Sequence, residues 1–168
     1  MKRLLLVRHA KSDWSDGSLR DFDRPLNGRG EHDAPRMARY VASRGLRPTF
    51  LLASPAARTY ATARLFASEF GIAENDIALR RGLYECHTAE LLAALTELPD
   101  VHDTAAVFAH NPATTSAVGK FADEYVANVA TCAVAVLSAE TDTWREFTPG
   151  RARMRHLWQP KEVLPAYA

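Results

Sequence analysis

The chain has 168 residues, 47% hydrophobic and 24% charged, a balance that suits one globular domain with a sizeable core. Its 21 basic and 20 acidic residues leave a formal net charge of +1, which argues against a general nucleic-acid surface or a strongly acidic partner. Two cysteines, Cys86 and Cys132, are too few for a disulfide framework and fit a reducing compartment.

The apolar run that opens the chain stops at Arg8, short of the roughly 7–15 residues of a secretory h-region. No stretch reaches the ~20 apolar residues of a spanning helix. We expect a single domain over residues 1–168, no membrane partner and a cytoplasmic location. Residues 4–7 are a continuous apolar run and predict a strand buried on both faces. A polar loop follows over about 11–27. From Gly28 to Ser43, Ala34, Met37, Ala38 and Val41 recur at helical spacing, and Gly45 ends the helix. Residues 50–53 predict a second strand. Ser54-Pro55 reads as a cap followed by proline at the first helical position, opening a helix to about Phe70 that Gly71 stops.

Residues 77–79 are a weak strand, and Leu83-Tyr84-Glu85 falls in the turn beyond it. Residues 88–98 carry Leu91, Leu92 and Leu95 at helical spacing. Residues 105–109 form a third apolar strand, and Asn111-Pro112 opens a helix by the same cap-then-proline logic. Residues 133–137 and 144–147 read as late strands joined in a hairpin across 140–143. Strands alternating with helices predict a three-layer α/β/α sandwich around a mostly parallel central sheet.

In open α/β sheets ligands sit beyond the carboxyl ends of the strands. Three such ends carry phosphate-handling residue types: Arg8-His9 after the first, Ser54-Pro55 with Arg58 after the second, and His110 after the third. Arginine forks grip phosphate oxygens bidentately without losing charge. A neutral imidazole oriented through one nitrogen is a competent nucleophile through the other, and a second histidine, if protonated, stabilises charge on the transferred group.

The segment Leu6-Val7-Arg8-His9-Ala10-Lys11-Ser12 resembles the signature of the histidine phosphatase superfamily, also called phosphoglycerate mutase-like. Together with residues 21–30 (DFDRPLNGRG), Ser54-Pro55-Ala56-Ala57-Arg58, Leu83-Tyr84-Glu85 and His110-Asn111-Pro112, it is similar to the small SixA-type phosphohistidine phosphatase branch. The resemblance implies a phosphoglycerate mutase-like fold and a metal-independent phosphatase with no cofactor. Its substrate would be a phosphohistidine protein or a small phosphorylated metabolite. It implies His9 as nucleophile, Arg8 and Arg58 as phosphate ligands and His110 as the second pocket histidine. Glu85 falls where larger members keep the carboxylate that protonates the leaving group. Arg24 falls on a segment that would wall the pocket, and Ser15 stands where mutase-type members have asparagine. Lys11 stands where mutases have glutamate, and Ala10 replaces the usual glycine. The changes at Ser15 and Lys11 count against a mutase, and the short chain leaves little to shield an intermediate from water.

Each of these residues also has an ordinary structural reading: a strand-end histidine that packs, an arginine on a helix surface, a turn glutamate. His32-Asp33 resembles a metal-binding dipeptide, but no partner cluster stands at ligand spacing. Neither cysteine has an arginine six residues later, so the cysteine-phosphatase loop is absent. His87, His102 and His156 read as surface residues, and Arg151, Arg153 and Arg155 as a solvated strand face that could also dock a partner. The competing functions are a phosphotransferring mutase, a phosphoprotein-binding module without catalysis, and a metal-dependent hydrolase.

Overall fold

The computed structural model of the protein describes residues 1–165. Its strands are β1 (Lys2–Arg8), β2 (Phe50–Ala53), β3 (Ala78–Leu79), β4 (Thr104–Ala109), β5 (Val134–Ala139) and β6 (Arg153–Trp158). The helices are α1 (Gly28–Ser43), α2 (Ala57–Phe70), α3 (Thr88–Thr96), α4 (Ala113–Phe121) and the short α5 (Pro160–Val163). The strands form one sheet in the order β3-β2-β4-β1-β5-β6. Every pairing from β3 to β1 is parallel, while β5 runs antiparallel to both β1 and β6, so the sheet is mostly parallel as expected.

Side chains alternate across the pleat and build a core on each face. Leu4 and Leu6 of β1, with Val107 of β4, pack under α3 and α4 against Leu91, Leu95, Val118 and Phe121. Leu5 and Val7, with Phe108, face α1 and α2 and meet Met37, Val41, Ala63 and Phe66. Central strands buried on both faces explain why residues 4–7 and 105–109 are apolar without alternation. Helix α2 ends at Gly71, whose φ of +72° is a left-handed cap that costs a glycine nothing in Cβ sterics.

At the far end of β1, Lys2 is 1% exposed. Its ammonium donates to the carbonyls of Asp100 and His102 and to Asp103 Oδ1, at 2.6, 3.2 and 2.9 Å, and it lies over the Trp144 ring. Among the described residues no helix is long and apolar enough to cross a membrane.

Three local expectations are corrected. Residues 144–147 are not a strand: Trp144–Glu146 is a 3-10 turn that buries Trp144 and Phe147 on one side. The partner of β5 is instead β6, an edge strand whose arginines face outward. Ser54 does not cap α2 with Pro55 as its first residue, because the helix starts at Ala57 and the Ser54 hydroxyl meets His110. Pro112 precedes α4 rather than opening it, although Asn111 Oδ1 does accept from the Thr115 N–H at 3.1 Å.

Candidate active site

Strands β2, β4 and β1 are neighbours, so Ser54, His110 and Arg8-His9 leave the sheet side by side at its carboxyl edge. The backbone after β1 is held tightly. The His9 N–H donates to the Ala109 carbonyl at 3.1 Å, and the Cys132 N–H is shared between the carbonyls of Arg8 and His9. The Ala10 N–H donates to Thr62 Oγ1 at 2.9 Å, and the same hydroxyl donates to the Arg58 carbonyl. One threonine of α2 thus couples the end of β1 to the helix that carries Arg58.

His9 is 8% exposed, and its ring stands 5.3 Å from that of His110. Its Nδ1 lies 2.8 Å from the Ala10 carbonyl. A carbonyl only accepts, so Nδ1 carries the proton and Nε2 is left with a lone pair. Burial, reinforced by His110, Arg58 and Arg8, pushes His9 down to about 3 against the opposing bond to Ala10. The ring is therefore neutral at physiological pH. His110 is pushed down to about 4, chiefly by burial and the Arg58 charge. Arg58 Nη2 can only donate, so His110 Nδ1 accepts from it at 3.4 Å, and Nε2–H faces Ser54 Oγ at 2.8 Å and Thr59 Oγ1 at 3.1 Å.

The arginines are anchored at their tips. Arg8 Nη1 donates to the Val129 carbonyl at 2.8 Å. Arg58 Nη1 donates to the Asp21 carbonyl at 2.7 Å, and Nη2 to Asp21 Oδ2 at 3.1 Å. The Tyr84 hydroxyl donates to the same Oδ2, and Arg24 grips Oδ1 at 2.8 Å. Burial alone would raise the Asp21 carboxyl, but bonds from Arg24 and Tyr84 and the charge of Arg58 hold it well below the usual carboxylate range. Tyr84 is pushed up to about 12 by burial and by that carboxylate. Among the described residues, the buried side-chain nitrogens and oxygens without a partner are Arg8 Nε and Arg58 Nε.

The fold thus brings together Arg8, His9, Arg58 and His110. Glu85 sits beyond Tyr84 in an exposed turn, makes no side-chain hydrogen bond among the described residues and has a left-handed φ of +57°. A glutamate held there carries roughly 1–2 kcal/mol of backbone strain. Arg24 is buried but stands behind the pocket, bonded to Asp21 and Ser12 and covered by Trp14 at 3.4 Å. Among the described residues no hydrogen bond joins Ser15 to Arg8, His9, Arg58 or His110. Ser15 is exposed, and its N–H bonds Asp13. Sequence reasoning missed Asp21, Thr59, Thr62 and Tyr84 as parts of the site, and it named Ser54 without its partner His110. The spacing of Asp21 and Arg24, one turn apart, is the signal that could have found the first. No group of three or more His, Cys, Asp or Glu side chains suited to a metal ion occurs among the described residues.

Comparison with known proteins gives the chain a family and a fold. Residues 4–143 match the family model described as histidine phosphatase superfamily, branch 1. An uncharacterized chloroplastic protein of Arabidopsis thaliana is 33% identical over 154 residues, covering 86% of this chain and 70% of the relative. The structure of the candidate phosphohistidine phosphatase SixA from Agrobacterium tumefaciens superposes with a TM-score of 0.76 at 28% identity, over 95% of this chain and 98% of that one. The protein histidine phosphatase SixA complexed with tungstate superposes with a TM-score of 0.73 at 18% identity, over 96% and 99% of the two chains, a likeness of fold.

Proposed function

Because the chain belongs to the histidine phosphatase superfamily, branch 1, we propose that this single-domain phosphatase works through a covalent phospho-His9 intermediate, without a metal or other cofactor. The observation that carries this reading is the pair of buried, unpaired N–H donors on Arg8 and Arg58 beside a neutral, oriented His9. Leaving such donors unsatisfied costs about 1–3 kcal/mol each, which an oxyanion between them would recover. The folded chain keeps this arrangement ready, and preorganised donors need no rearrangement when charge develops.

In the first step His9 Nε2 attacks phosphorus, forming a P–N bond as the bond to the leaving group breaks. Arg8 and Arg58 hold the phosphoryl oxygens, and the dianion raises the proton affinity of His110, which then donates to them. For an alkyl ester, Glu85 supplies the proton the departing oxygen needs. Water then attacks phosphorus and yields a proton to solvent as the P–N bond breaks, releasing phosphate and neutral His9; after an alkyl ester, Glu85 regains its proton from solvent. The substrate is a phosphohistidine protein or a small phosphomonoester, met in the cytoplasm. The resemblance to a SixA candidate from Agrobacterium tumefaciens supports the former.

Rapid quenching during turnover tests the proposal. Label should appear on His9, survive alkali and vanish in acid, and EDTA should leave the rate unchanged. Label on a serine, cysteine or aspartate, or activity lost to EDTA and restored by Mg²⁺ or Zn²⁺, would overturn it.

A further inference from the structure

On the β5–β6 side of Arg8 a cleft of about 360 Å³ opens, lined by Arg8, Lys11, Arg29, Gln159, Lys161 and Glu162 among others. We propose that it binds a second anionic group, a carboxylate or a phosphate, carried by the phosphoryl donor itself. The proposal rests on the phosphatase reading above and names the class of its substrate.

Charge is the first argument. Four cations and one carboxylate line the cleft, in a chain whose overall net charge is only +1. The carboxylate is occupied locally, since Glu162 Oε1 accepts from Gln159 Nε2 at 3.0 Å. Arg29 pairs with Asp33 at 3.5 Å, whereas Lys11 and Lys161 are exposed and have no ion pair among the described residues. A concave surface of one sign concentrates the opposite sign.

Position is the second. Arg8 belongs to both spaces: its Nε is a buried, unpaired donor, while its Nη1 reaches Val129 beside the cleft wall. An anion in the cleft is thus one arginine side chain away from the phosphoryl site. Lys11 and Arg29 are held side by side by the backbone. The Asn27 N–H donates to the Lys11 carbonyl at 2.9 Å, and the first turn of α1 presses so closely that a Cβ on Gly30 would stand 2.3 Å from that carbonyl oxygen. The volume lies within the roughly 300–1,000 Å³ of small-molecule sites and holds one charged group with its water.

Steady-state kinetics on the full chain tests this with two matched pairs of probes. One pair is phenyl phosphate and carboxyphenyl phosphate; the other is a phosphohistidine peptide with neutral or with glutamate-rich flanks. The acidic member of at least one pair should have the lower KM, and added NaCl should erase that difference. Preference in the peptide pair places the anion on a protein, and preference in the aryl pair places it on a metabolite. The double variant Lys11→Ala/Lys161→Ala should raise KM for the preferred acidic probe by roughly three- to tenfold, as expected for exposed charge pairs. Its kcat for phenyl phosphate should stay within about twofold. Equal KM values within both pairs, or an acidic preference that survives the double variant, would overturn the inference while leaving the phosphatase reading intact. No turnover of any probe would sink both.

Discussion

With His9 held near pKa 3 and His110 near 4, the unfolded chain binds protons on these groups that the folded chain refuses. Their contribution to stability is complete above the ordinary imidazole value of about 6.5. It is lost as pH falls from there toward the folded values, at up to about 1.4 kcal/mol per pH unit for each group. Urea midpoints should therefore drop between pH 7 and pH 5, and drop less in His110→Asn; an equal drop would mean the imidazoles are not the cause. Arg58→Lys should lower kcat on the order of 10²–10³, because a point charge replaces a fork whose Nε is the donor kept for the oxyanion. Activity within twofold would remove Arg58 from the pocket. For Glu85→Gln the loss should depend on the leaving group. Single-turnover hydrolysis of an alkyl ester should fall by about 10²–10⁴, while phosphohistidine hydrolysis stays near the parent. An equal loss on both would assign Glu85 to the second step or to the fold. These charged residues were legible in the sequence because strand ends and helix starts fix where they emerge. Thr59, Thr62 and Tyr84 were not: a hydroxyl's role depends on what lies opposite in space, and all three have partners more than 50 positions away.

Elements that bury both faces announce themselves as apolar runs, so β1, β2 and β4 were legible to within two residues. The edge was harder to read. Strand β6 is Arg-Met-Arg-His-Leu-Trp, charged on the side that meets solvent, which discourages pairing with another chain and also hides the strand. Residues 144–147 misled for the opposite reason. Trp144 and Phe147 are large and buried, yet three apart, a spacing that suits a single 3-10 turn. The first turn of α1 makes the sharpest element-scale test. A methyl at Gly30 would meet the Lys11 backbone, whereas one at Gly28 meets nothing within 4 Å. Gly30→Ala should cost roughly 1–3 kcal/mol, as overpacking does. That corresponds to a Tm lower by roughly 2–12 °C in a chain of this size. Gly28→Ala should be near neutral, and equal melting temperatures for the two variants would show that the close approach relaxes freely.

The two faces of the sheet share every strand residue between them, so damage to one core reaches the catalytic edge through β4. Phe108, two residues before His110, packs edge-on against Phe66 with ring centroids 5.2 Å apart. Phe108→Ala should cost about 3–5 kcal/mol in urea denaturation. That is a large share of the roughly 5–15 kcal/mol that holds a domain together. A loss below about 1 kcal/mol would mean that the core collapses onto the gap. At the other end of the sheet, Lys2 carries a consequence of a different kind. The chain has four lysines, Lys2, Lys11, Lys120 and Lys161, and all but Lys2 are exposed. An acylating reagent needs a free amine lone pair, and the Lys2 ammonium spends its three protons on two carbonyls and a carboxylate. Modification at Lys2 must therefore wait for β1 to part from the 100–103 loop, while the exposed lysines react at once. The ratio of the two labelling rates makes Lys2 an internal clock for how often the sheet opens.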